Sequence, residues 1–334
     1  MSASAVTLTA TPPAGCLAQD DEVLLINLQG TNSGVRRTDN VGNHDLLRVS
    51  SISGTTVSFQ TAKTRSYGDT AGSDAFSGTS QRVFLQRVPN YTSVTVNGGA
   101  TLTGNPWSTT GGGVLFFRAS GTVRVDGMIT MSGAGYAGGQ TPVVSGSNGI
   151  QGESRAGRLM SYDSTFGGLG GGYGGRICNT MLALPGGGGA LFGAGGVSAN
   201  PDCPQNARRA YASFPLMLHL ASGGGSGASA PVGSNRGGDG GRGGGVIVIH
   251  ADQIQISGSV VALGTSGTAG VGCGSCQEAS AGGGGGAGGT IVLGHRSGLS
   301  GAQLAAAQGG SGVTGCPACV ESSGRGSDGA VFTP

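Results

Sequence analysis

The sequence predicts an all-β protein with a glycine-rich body. Short stacked β repeats and packed polyglycine-II-like helices follow a small β-barrel- or sandwich-like N-terminal part. Three observations carry this. Glycine supplies 73 of 334 residues, 11 of them in 1–110 and 62 in 111–334; the overall share is about three times the usual ~7 %. Apolar residues come in short runs bounded by turn residues, which is strand length rather than helix length. One unit of sequence also recurs along the chain. The expected division is a β-rich assembly or docking domain over 1–105 and a glycine-rich β-repeat domain over 106–334, with an insert at 176–220.

In the N-terminal part, residues 22–28 (EVLLINL) are a continuous apolar run and read as a buried strand. Residues 46–59 (LLRVSSISGTTVSF) read as two strands joined at Ser53 and Gly54, a hairpin signal. Strand patterns continue at 82–88 and 93–96, interrupted by Pro89 and Asn90 as a turn.

From residue 111 the pattern changes. Residues 111–133 (GGGVLFFRASGTVRVDGMITMSG) align with 243–264 (GGGVIVIHADQIQISGSVVALG) with one gap at Gly121. Val123 and Val125 fall on Ile254 and Ile256, Gly127 on Gly258, and Ile129 on Val260. A third copy begins at Gly288 (GGTIVLGHRSG) and a partial fourth at Gly326 (GSDGAVFT). Each is a glycine run, a β segment, a polar turn and an alternating strand, so the copies read as stacked supersecondary units.

The glycine runs lie at 167–175, 186–196, 223–227, 237–245 and 282–289. Composition alone reads them as flexible loops, since glycine loses the most backbone entropy on ordering. The alternative is extended helices of three residues per turn. Without side chains these can lie backbone to backbone and pair their N–H and C=O groups with neighbouring segments. No strict G-X-Y period runs through them, which disfavours a collagen triple helix. The insert differs: residues 206–213 (NARRAYAS) read as one short helix ended by Pro215.

Charged residues make up only 10 % and the net charge is +2, with no basic stripe interleaved with aromatics, so no nucleic-acid partner is expected. No apolar run reaches the ~20 residues of a membrane span. The first 15 residues show neither the cationic region nor the apolar core of a secretory signal. That fits a processed secreted protein, export without a leader, or release from a host cytoplasm by lysis.

Seven cysteines stand at 16, 178, 203, 273, 276, 316 and 319. Cys273 and Cys276, with Cys316 and Cys319, form two CxxC pairs. In an oxidising compartment these, with Cys178 and Cys203 around the insert, read as disulfides that staple glycine-rich loops; in a reducing one, Cys273, Cys276, Cys316 and Cys319 read as a four-thiolate zinc site. Cys16 is left over, as a buried free thiol or an inter-chain link. His219, in LMLHL, reads as a core histidine. His250 and His295 follow repeat strands where Arg118 stands in the first copy, and read as solvent-facing strand ends. Asp20, Asp21 and Glu22, and Asp39 with Asp45, are carboxylate clusters, but glycoside hydrolysis needs two acids converging on one cleft. Asp126 and Asp252 fall at turns, where aspartate serves structure. No GxxxxGK[ST] loop is present. Tyr136, Arg158, Tyr162, Phe166 and Tyr173, in or near glycine turns, form a candidate recognition tip or else cap the glycine layer.

The segments 20–30 (DDEVLLINLQG), 84–96 (FLQRVPNYTSVTV), 111–127 and 131–139 (MSGAGYAGG) look like those of large glycine-rich surface and fibre proteins of bacteria and their phages. The later glycine runs resemble the polyglycine-II sandwich of phage tail-fibre adhesins and, more remotely, the glycine-rich domain of certain animal receptor kinases. The resemblance implies a non-enzymatic structural or adhesive role at the cell surface, outside the cell or in a virion. It needs no cofactor, and its partners are further copies of the chain, a surface glycan or an outer-membrane protein. A polysaccharide-degrading tailspike and a zinc-stabilised binding module are the competing expectations.

Overall fold

The structure is a computed structural model that describes all residues except 31–36, 77–80, 143, 145, 158–170, 173, 176, 179–181, 198–216, 231–235, 272–279 and 314–322. The described chain is strand-dominated, with a single 3-10 turn at Ala302–Leu304.

Strands β1 (Ala5–Thr7), β2 (Glu22–Gln29), β3 (His44–Ser53), β4 (Thr56–Phe59) and β5 (Arg82–Arg87) form one antiparallel sheet in the order β1-β4-β3-β2-β5. It is open, with β1 and β5 at its edges, and not closed into a barrel. The hairpin expected at Ser53 and Gly54 joins β3 to β4, and Gly54 takes the left-handed φ of +57° that a tight turn requires. Strand β2 is buried on both faces, which explains its unbroken apolar run. Val23 and Leu25 pack outward with Leu47, Val49, Phe59 and Tyr67, while Leu24, Ile26 and Leu28 pack inward.

The second unit is a stack of parallel rungs. The first rung is β6 (Asn90–Tyr91), β7 (Val94–Val96) and β8 (Thr101–Thr103); the second is β9 (Val114–Ala119), β10 (Thr122–Val125) and β11 (Met128–Thr130). A short antiparallel pair, β12 (Ile177–Cys178) and β13 (Leu182–Ala183), lies between the second rung and the third. The third rung is β14 (Val246–Ile256) and β15 (Ser259–Val261), the fourth is β16 (Thr290–Ser300) and β17 (Ala305–Ala306), and β18 (Ala330–Phe332) pairs with the start of β16. The repeat alignment reappears as backbone register: Val123 opposes Ile254, Val125 opposes Ile256, and Ile129 opposes Val260. Residues 90–103, grouped by composition with the N-terminal part, pair with β9, β10 and β11 and so belong to the stack.

These sheets make three layers. Ile247, Ile249, Ile291 and Leu293 face the four-stranded sheet β17-β15-β11-β8, with Val123, Val125, Ile129 and Val260 completing that core. Val246, Val248, Val114 and Phe116 face the other way, onto Leu24, Ile26 and Leu28 of the N-terminal sheet. Alternate residues of the first half of β14 therefore serve two cores. Its second half alternates buried Ile254 and Ile256 with exposed Gln253 and Gln255, because the N-terminal sheet no longer covers it.

The glycine segments between rungs are extended and bonded backbone to backbone with an advance of three residues. Gly238, Gly241 and Gly244 donate to the carbonyls of Ala281, Gly284 and Ala287. Ala281, Gly284 and Ala287 donate to Ala228, Gly225 and Ser222, and Gly227, Gly224 and Ala221 donate back to Gly238, Gly241 and Gly244. Three segments thus close a triangle of hydrogen bonds that repeats three times along their length. A second face of residues 238–244 donates from Gly240 to Gly139 and from Gly243 to Tyr136, and Thr268 and Thr265 bond the backbone of Asp239 and Arg242 on a third. Buried backbone groups are satisfied here outside any strand ladder.

Candidate functional site

The stack offers one groove built by several rungs, where the ladder changes character. Cα register pairs Asn90, Arg118, His250 and Gly294 in one row; beside it Tyr91 pairs with Ala119 and Ala251 with His295. Just beyond, regular pairing is interrupted. The register of β14 against β16 shifts between Ala251 and Gln253, and the second rung turns at Ser120 and Gly121 between β9 and β10. Such bulges re-aim side chains. The resulting groove encloses about 780 Å³ and is lined by positions 90–92, 118–120, 250–252 and 294–296, with Pro334 beside them.

Its side chains are held from behind. The Arg118 Nε–H donates to Glu22 Oε1 at 3.0 Å, and Asn90 Nδ2 donates to Glu22 Oε2 at 3.0 Å, so Glu22 ties the groove to the first residue of β2. The Arg118 guanidinium lies 5.8 Å from the centre of the Phe116 ring, which in turn lies 5.6 Å from the His250 ring. Burial, and then the Arg118 charge, hold the His250 imidazole below its ordinary pKa, with Glu22 acting the other way. Gly294 makes room for that ring: a Cβ there would sit 2.4 Å from His250 Nδ1. Tyr91 is 49 % exposed and braced edge-on against Phe117 at 6.2 Å. Asp252 Oδ2 accepts from Ser297 Oγ at 2.8 Å. His295 Nδ1 is buried with no hydrogen-bond partner among the described residues.

This set can donate to and accept from a ligand and offers it one aromatic face. Asp252 is the one side-chain carboxylate lining the groove among the described residues; Glu22 is engaged by Arg118 and Asn90. The chain matches no protein-family model, no curated protein and no solved structure.

Of the candidate tip residues, Tyr136 is fully buried. Its hydroxyl donates to the Leu28 carbonyl and its ring meets Trp107 edge-on at 5.6 Å. It is therefore a core residue joining the N-terminal sheet to the glycine layer, and no part of a surface tip. Arg158, Tyr162, Phe166 and Tyr173 lie outside the described residues, as do Cys203, Cys273, Cys276, Cys316, Cys319 and the helix expected at 206–213. Cys178 sits in β12 opposite Leu182. Cys16 is a free, exposed thiol rather than a buried one. His219 is a core histidine, 2 % exposed. Among the described residues no helix is long and apolar enough to cross a membrane, and no cluster of metal-ligating side chains occurs.

Sequence reasoning places Arg118, His250 and His295 at strand ends but does not join them to Tyr91, because the first rung lacks the glycine run that marks the other copies. It also misses Glu153. This buried carboxylate accepts from Gln29 Nε2 at 2.9 Å, Trp107 Nε1 at 3.1 Å and the Ala137 N–H at 2.8 Å, linking β2 to the segments that follow β8 and β11.

Proposed function

We propose that the chain is a non-enzymatic structural and adhesive subunit of a cell exterior or virion, whose glycine segments are packed polyglycine-II-type helices giving it stiffness. The observation that carries this reading is the three-residue advance of backbone hydrogen bonds among residues 221–228, 238–244 and 281–287. A segment cross-linked on several sides at every residue resists local opening, and local opening is what proteolysis requires. Three glycine segments also run straight into a strand of the stack (residue 245 into β14, 289 into β16, 329 into β18), so the β stack and the glycine layer stiffen one another. Further copies of the chain are the first partner. Positions 92–105 at the open edge of the first rung hold neither charge nor proline, the usual safeguards against edge pairing.

The test is limited digestion with thermolysin, alongside size-exclusion light scattering and negative-stain microscopy with and without reductant. The expected result is an elongated oligomer or filament whose core survives digestion. A monomer cut as fast as an unfolded chain overturns the reading.

A further inference from the structure

We propose that the groove across the four rungs binds a linear, carboxylate-bearing glycan running along the stack axis. The inference deepens the adhesive reading and rests on it for the biological setting; digestion by thermolysin reports on stiffness alone and is independent of any glycan binding.

Four rungs present the same three positions, and successive rungs lie about 4.8 Å apart, so the groove offers a ladder of equivalent steps about 14 Å long. A polymer with a short, regular repeat matches such a ladder, and an extended glycan advances per sugar by a distance close to one rung. The functional groups narrow the ligand class. Tyr91 supplies a braced aromatic ring at one end, the surface on which a sugar face stacks at low entropic cost. Arg118 spends its Nε–H on Glu22, which leaves its terminal amino groups for a ligand. Arg296 is exposed and makes no ion pair among the described residues. Two guanidiniums and one side-chain carboxylate, that of Asp252, line the groove, and this excess of cationic side chains favours a sparse acid such as one carboxylate per sugar or per disaccharide. A nucleic acid fits less well: a net charge of +2 and a single exposed tyrosine in the groove are not the basic, aromatic-rich track such a strand needs.

The experiment is isothermal titration of the full chain with hexasaccharides of galacturonate, guluronate, hyaluronan and polysialic acid. Maltohexaose and an oligothymidylate serve as comparators. At least one acidic hexasaccharide is expected to bind, with maltohexaose at least about tenfold weaker, the discrimination of one charge-assisted contact. Arg296→Gln changes an exposed side chain and leaves the cores untouched, and is expected to weaken binding about tenfold with melting temperature and thermolysin resistance unchanged; Tyr91→Ala removes the stacking ring together with its contact to Phe117, and is expected to weaken binding about tenfold with at most a small fall in melting temperature. The proposal is overturned if no acidic hexasaccharide binds at millimolar concentration, if maltohexaose binds equally well, if the oligothymidylate binds more tightly, or if both variants bind like the parent.

Discussion

A Gly284→Ala substitution reaches the centre of the hydrogen-bonded triangles. A Cβ at position 284 would stand 2.1 Å from the Gly187 carbonyl oxygen, 2.5 Å from its carbon and 2.9 Å from the Gly186 oxygen. These are backbone atoms that cannot rotate away, and the closest is more than an ångström short of ordinary contact. Relief must come from separating two segments, which stretches Gly284 N–H to Gly225 O (2.9 Å), Gly241 N–H to Gly284 O (2.8 Å) and Gly225 N–H to Gly187 O (2.9 Å). Weakening these bonds costs about 0.5–1.5 kcal/mol each, and forcing a methyl into a filled interior costs about 1–3 kcal/mol. The loss of unfolded-state entropy returns about 0.4–1 kcal/mol. The net is a destabilisation of about 2–7 kcal/mol, and a fall in melting temperature on the order of 3–10 °C for a chain of this size. Gly98→Ala is the control, because nothing lies within 4 Å of a Cβ there and its φ is not left-handed. Thermal unfolding followed by circular dichroism should leave Gly98→Ala at the parent temperature or slightly above it. Equal melting temperatures for the two variants would refute the account of the glycine segments as a close-packed layer.

Acid should weaken the protein through His219. Burial, and then the nearby Arg155 and His44, hold this imidazole down to a pKa of about 3 against an ordinary 6.5. It folds neutral, so its contribution is intact above pH 6.5 and is lost as pH falls from 6.5 towards 3. Between pH 6.5 and 5.0 the loss is about 2 kcal/mol, which denaturant titrations at both pH values should show and a His219→Leu variant should remove. Glu153→Gln should cost about 1–3 kcal/mol, because an amide in place of the carboxylate sets a donor against the Ala137 N–H or against Gln29 and Trp107. Trp107 is the single tryptophan, so a shift in intrinsic fluorescence should accompany that loss.

What can be read in the sequence is whatever side chains record. The apolar positions that face the core between the rungs recur because each rung needs them, and the alignment of Val123 with Ile254 or Ile129 with Val260 becomes Cα register without adjustment. The first rung is hard to recognise because its strands are short and its neighbour in sequence is a turn at Pro89. Tyr136 reads as exposed because of its glycine neighbours, whereas here they let other backbones close around the ring. The groove lies where the rungs differ in residue count; the one gap at Gly121 marks that place in the sequence but does not show which side chains meet there. The glycine layer does leave a faint trace. Gly264, Gly267 and Gly270 are three apart, and a Cβ on each would strike the carbonyls of Gly286, Gly283 and Ser280, also three apart. Asp239 and Arg242 keep the same interval on a side where Thr268 and Thr265 meet their backbone. The period marks only segments at the border of the layer; inside it most faces meet another backbone, and glycine gives way only at a few positions such as Ala221, Ala228, Ala281 and Ala287, so no strict pattern survives.

A glycine segment carries almost nothing that tells it where along its neighbour to stop. Sliding one segment past another by three residues restores every donor to an acceptor, so the triangles of hydrogen bonds are indifferent to such a step. What removes the ambiguity is the strand that follows residues 245, 289 and 329, where Val246, Thr290 and Ala330 lock side by side in the stack. The rungs thus act as a shared origin from which the glycine segments are measured, and the body can lengthen or shorten between rungs in units of three residues without the rest of the molecule having to change.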